Sequence, residues 1–181
     1  MDRRRAIVVF GCLVGTVALR KAAAQAKPVM PVVGFLSNTS AAAWAHLVAG
    51  FRQGLKDGGY VDGKNVAIDF RWAEGRYERL PALAAELVSR KVAVIAAVGG
   101  PPSALAAQAA TTTIPIVFSI GDDPVRHGLV TSLARPGKNI TGVALVSVAT
   151  EAKRFEVLRD IFPKARVFGL LVNPDNHQHK L

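Results

Sequence analysis

Three short polar runs carry the residue types that can hold a small molecule: Asn38-Thr39-Ser40, Gly99-Gly100 and Gly121-Asp122. Asn38, Thr39 and Ser40 offer side-chain donors and acceptors. Gly99 and Gly100 have no Cβ, so their backbone can approach a ligand closely. Each run follows an apolar stretch and precedes a helix-forming stretch, and the positive end of a helix favours a carboxylate there. Structural roles compete at every one of these positions. Capping alone accounts for a Ser at position 40, and Gly99-Gly100 suits a turn that serves only the backbone.

The acidic pair Asp122-Asp123 invites a magnesium or acid/base reading, but Glu74 is the sole acidic residue in the neighbouring loops and no lysine accompanies the pair. Polar ligand contact or turn formation is the better reading. His177 and His179 fall in a polar terminal segment and read as a tail rather than a metal site. The glycine spacing around Gly99 is wrong for dinucleotide binding, and Pro101 and Pro102 remove donors that a pyrophosphate would use. There is no Gly-x-Ser-x-Gly and no nucleophile with an evident base, so no enzyme and no cofactor are expected.

The elements that must position these runs alternate strand and helix. Val32 to Leu36 is an apolar run of the kind buried on both faces of a parallel sheet. After Ser37 to Ser40, the residues Trp44, Leu47, Val48, Phe51 and Leu55 share a helical face that ends at Gly58-Gly59. Val66, Ile68, Phe70 and Trp72 alternate with polar or small residues, which predicts a strand near a sheet edge. A helix with Tyr77, Leu80, Ala84, Leu87 and Val88 on one side follows, with Pro81 in its first turn. Trp44 and Trp72 fit these faces as packing residues.

Val92 to Val98 predicts a central strand, and the turn Gly99 to Ser103 opens a helix with Leu105, Ala106 and Ala109 facing inward. A fourth strand, Ile114 to Ile120, leads through Gly121 to Pro124 into a short helix with Leu129 and Leu133, then to the turn Arg135-Pro136-Gly137. Asn139 to Leu145 is a fifth strand. Ser147 and Thr150 open a further helix with Phe155, Leu158 and Phe162 on one face, and Val167 to Val172 reads as a sixth strand. The pattern is α/β, a doubly wound parallel sheet, and five loops should meet at the carboxyl edge of its strands.

Composition sets the frame. Arg3-Arg4-Arg5, the apolar run Ala6 to Leu19 and Ala24-Gln25-Ala26 read as an export signal cut after Ala26. About 14 apolar residues are too few to span a bilayer, which needs roughly 20. Removal of residues 1–26 leaves 18 basic against 12 acidic residues, so the net charge of +10 becomes +6. Those charges are scattered and carry no aromatic-basic motif, so no nucleic-acid partner is expected. The single cysteine, Cys12, lies in the signal, and the remaining chain can form no disulfide. About 155 residues suffice for one core and not for two.

The runs Phe51-Arg52-Gln53-Gly54-Leu55, Gly59-Tyr60-Val61-Asp62-Gly63-Lys64-Asn65-Val66 and Arg71-Trp72-Ala73-Glu74-Gly75-Arg76-Tyr77 resemble the ABC-transporter substrate-binding family that includes tryptophan-binding lipoproteins. Thr112 to Phe118, Gly121-Asp122-Asp123-Pro124-Val125, Leu133 to Gly137, Asn139 to Val143 and Leu171 to Pro174 continue the likeness in order. The resemblance implies a type I periplasmic-binding-protein fold. In it two lobes close over a small organic solute such as an amino acid, and the protein delivers that solute to a membrane permease from the periplasm.

On that reading Asn38, Thr39, Ser40, Gly99, Gly100, Gly121 and Asp122 line the first lobe, residues 27–145. Asn173 faces them from an incomplete second lobe, residues 146–181. Arg126-His127 departs from the smaller or apolar residues usual in the family. The short second lobe leaves two alternatives: a truncated product without a transport role, or a metal-dependent α/β enzyme using Asp122 or Asp123. The oligomeric state stays open.

Overall fold

The computed structural model describes residues 30–145 and 151–169. Five parallel strands, β1 (Val32–Ser37), β2 (Ala67–Trp72), β3 (Val94–Val98), β4 (Ile116–Ile120) and β5 (Ile140–Ala144), pair in the order β2-β1-β3-β4-β5. The chain runs outward from β1 to β2, then crosses back over β1 to reach β3. This reversal puts a switch point between the carboxyl ends of β1 and β3, where open α/β sheets leave a crevice. The sequence expectation of a parallel α/β sheet with β2 at the edge and β3 in the centre is met.

Helices cover both faces. α1 (Ala45–Asp57) lies over β1 and β2, where Phe35 meets Phe51, Phe70 and Trp72 at ring-centroid distances of 5.2, 5.1 and 5.3 Å. Rings at such distances add about 0.5–1.5 kcal/mol per pair beyond the area they bury. On the other face α2 (Leu80–Ser89), entered through a 3-10 turn at Tyr77–Arg79, packs beside α3 (Pro101–Ala110). Leu36, Leu87, Ile95, Ala97, Ile116, Phe118 and Ile120 form the main core there. Gly34 lets α2 sit close, because a Cβ on it would stand 3.0 Å from the Leu87 methyls.

The edge strand β2 is screened by charge. Asp69 pairs with Arg71 and with Arg90, the latter at 2.6 Å, and Arg71 Nε reaches Glu86 Oε2 at 2.9 Å. Such charges discourage pairing with another chain. At the far side of the sheet Val117, Ser119, Thr141 and Val143 point to the α1 face and remain exposed.

Several sequence expectations need correction. No helix carries Leu129 and Leu133: the segment after β4 is a series of turns, with the Leu129 and Val130 amides both donating to the Pro124 carbonyl. Gly128, at φ +67°, breaks the helical path. Leu129 is buried and Leu133 is exposed. In α3 the inward residues are Pro101, Ser103, Ala104 and Ala107, whereas Leu105 and Ala109 face solvent and Ala106 is half-buried.

α1 starts at Ala45 after a turn through residues 41–44, and its Leu47 is exposed. α4 spans Glu151–Ile161, with Phe155 and Leu158 exposed. The expected opening of α4 at Ser147 and Thr150 lies outside the described residues. Residues 167–169 form no strand; Val167 is 86% exposed and lacks the neighbours a buried strand requires. Residues 170–172 of that expected strand, Asn173, the histidine pair and the export signal lie outside the described residues.

Candidate functional site

The carboxyl edge is built from the β1 loop upward. Ser37, the last residue of β1, is fully buried, and its Oγ accepts the Thr39 amide at 3.4 Å. Three backbone bonds then join this loop to the loop after β2: Ala73 N to Ser37 O at 2.9 Å, Glu74 N to Thr39 O at 3.1 Å and Gly75 N to Asn38 O at 2.7 Å. The pairing holds Glu74 at φ +56°, a left-handed conformation rare outside glycine. The carbonyls of Asn38 and Thr39 are thereby consumed, while the Asn38 amide group makes no hydrogen bond among the described residues. Ser40 serves the local turn: its Oγ accepts the Ala43 amide at 3.3 Å.

The β3 loop meets the β1 loop at Gly99. Gly99 has φ +93°, and a Cβ placed there would collide with Asn38 Oδ1 and come within 3.2 Å of Ser37 Oγ. Gly100, at φ +116°, is the residue that enters α3. Pro101 and Pro102 supply no N-H groups and the Ala104 amide closes the first helical bond, so the first-turn donor left to α3 is the amide of Ser103. Ser103 is fully buried, and its Oγ has no hydrogen-bond partner among the described residues. Residue types alone did not single out Ser37, Ser103 or Glu74, although each lies in or beside a loop assigned to this edge. A strand-end Ser and a Ser at the third helical position are the signals that could have found the first two.

The β4 loop lies at the same edge, tied to β5 by the Leu145 amide donating to Ile120 O at 2.8 Å. Asp122 is buried. Its Oδ1 accepts the Asp123 amide at 2.7 Å, and its Oδ2 lies 2.5 Å from His127 Nε2. Burial pushes this carboxyl up, but the His127 hydrogen bond, the Asp123 amide and the charges of His127 and Arg126 together hold it below its ordinary value. Asp123 closes an Asx turn, its Oδ1 accepting the Val125 amide at 2.8 Å. Among the described residues no three His, Cys, Asp or Glu side chains cluster to hold a metal. The structure thus brings Asn38, Thr39, Ser40, Gly99 and Gly100 together, and it engages Asp122 inside its own loop.

A five-strand parallel sheet with its switch point between β1 and β3 defines an open α/β fold. Residues 32–180 match the family model of ABC transporter substrate binding proteins, and the chain belongs to that family. It is 37% identical over 132 residues to a tyrosine-binding protein of Clostridioides difficile, covering 73% of this chain and 37% of that protein. The crystal structure of a conserved domain protein from Vibrio cholerae superposes with a TM-score of 0.71 at 33% identity, covering 80% of this chain and 48% of that one.

A streptococcal ABC domain crystallised with L-Trp gives a TM-score of 0.58 at 30% identity, over 63% of this chain and 38% of the other. The chain therefore spans less than half the length of each of these relatives. The lobe shares its α/β fold with these structures, and the family is one of solute-binding proteins rather than enzymes.

Proposed function

We propose that the chain carries one wall of the cleft of a periplasmic solute-binding protein that feeds an ABC importer, and that its solute is an amino acid with an aromatic side chain. The observation that carries this reading is the meeting of Asn38 with Gly99 at the switch point, beside the N-terminus of α3. In this arrangement the Asn38 amide group, which has no partner among the described residues, hydrogen-bonds the solute. Gly99 and Gly100 leave room for it, and the Ser103 amide with the α3 dipole attracts its carboxylate. Thr39 borders the mouth, and Ser40 holds the turn beside it.

The solute class rests on the similarity to the tyrosine-binding protein and to the L-Trp complex. The reading further assigns residues 1–26 to an export signal, residues 27–145 to the first lobe and residues 146–181 to the start of a second, with Asn173 on the opposing wall. A membrane permease is the partner. Calorimetric titration with L-tyrosine, L-tryptophan and aliphatic amino acids tests it. Saturable binding of an aromatic member, weakened about tenfold or more by Asn38→Ala, is the expected result. A chain that binds none of them, or binds equally well without the Asn38 side chain, overturns it.

A further inference from the structure

The loop after β4 is organised around a pair that the solute reading does not use. Asp122 has a side chain only 7% exposed, and His127, 20% exposed, reaches back five residues to its Oδ2. With the Asp123 amide on Oδ1, both carboxylate oxygens are engaged within the loop. Beyond His127 the chain is pinned from two sides. Gln108 of α3 donates to the Leu129 carbonyl at 3.0 Å, and the side chains of Leu129 and Val130 enter the main core. His127 thus stands between a buried anion and a buried apolar plug.

We propose that His127 is a positioning residue for the solute site: by holding Asp122 inside the loop it fixes the wall at the end of β4, and Asp122 acts through it without touching solute. This rests on the reading of the carboxyl edge as a solute site. The further charged group bearing on the pair is Arg126 of the same loop, and Asp123 bears on it through its backbone amide. α3 has no ionisable residue, and the nearby Arg135 and Lys138 are exposed. A buried carboxylate with both oxygens hydrogen-bonded inside one loop is a directional tether, which suits a role in shape rather than in solute exchange.

The test uses the whole chain with L-tyrosine and L-tryptophan as probes, in wild type, His127→Ala, His127→Gln, Asp122→Ala and the double Ala variant. Affinity, melting midpoint and the Asp122 carboxyl titration by carbon-13 NMR are read. The expected results are an Asp122 titration that moves up in His127→Ala and an affinity loss of roughly tenfold or more. His127→Gln, which restores a side-chain N-H donor, should recover affinity, and the double variant should be no worse than either single one.

Loss of binding in Asp122→Ala with wild-type affinity in His127→Ala would overturn the proposal, because Asp122 would then contact solute directly. An unmoved Asp122 titration in His127→Ala would overturn it too. If the wild-type chain bound neither probe, the solute reading would fall and take this role with it, whereas binding indifferent to every His127 substitution would remove the positioning role alone.

Discussion

Gly99 excludes a side chain for two separate reasons: its φ of +93° disfavours any L-residue, and the space a Cβ would take is filled by the Asn38 amide. Gly99→Ala should therefore cost about 1–3 kcal/mol in denaturant unfolding and should weaken solute binding by displacing Asn38. Asn38→Ala should do the reverse, lowering affinity while leaving the melting midpoint almost unchanged, because the Asn38 side chain makes no hydrogen bond among the described residues. A large fall in midpoint would mark Asn38 as structural.

Asp122 gives a pH prediction. Its folded carboxyl lies below the ordinary value of 3.8, so its contribution to stability is complete above that value and is lost as pH falls through the folded one. Unfolding free energy measured from pH 6 downward should drop less steeply in Asp122→Asn than in wild type. Equal slopes would mean that the His127 pair does not form in solution.

Among the elements, β1 and β3 were legible because each is a short apolar run that a parallel sheet buries on both faces, as at Val33 to Leu36 and Ile95 to Ala97. α3 was misread because an alanine-rich helix carries little amphipathic signal. Its lone large residue, Leu105, drew the inward assignment, and the backbone places it outside. Leu105→Ser should accordingly change stability by no more than about 0.5 kcal/mol. Ala104→Leu, at a fully buried position, should cost about 1–3 kcal/mol. Chemical denaturation of the two variants checks the orientation.

The segment after β4 was misread because Leu129 and Leu133 keep helical spacing, whereas Gly128 and the Asp123 side chain commit the backbone to turns. The residue types of the candidate site were likewise legible from the sequence. The contacts of Asn38 with Gly99 and of His127 with Asp122 were not, since they depend on how separate loops pack.

For the molecule as a whole, the β2-β1-β3-β4-β5 order makes one edge chemically distinct from the other. The carboxyl edge gathers Asn38, Gly99 and the α3 N-terminus. The amino edge presents an open groove lined by Leu105, Gln108, Ala109, Thr112, Lys138 and Asn139, remote from the switch point. Solute binding to the folded lobe should also raise its stability, by about 2.7 kcal/mol at a hundredfold excess over the dissociation constant.

The backbone amide map of the chain, recorded by NMR during titration with L-tyrosine and then L-tryptophan, separates the two edges directly. Shifts confined to Asn38, Thr39, Gly99, Gly100, Ser103 and the residues beside them are expected. Shifts centred on Gln108, Thr112 and Lys138, or none with either amino acid, would contradict a solute wall at the β1/β3 switch point.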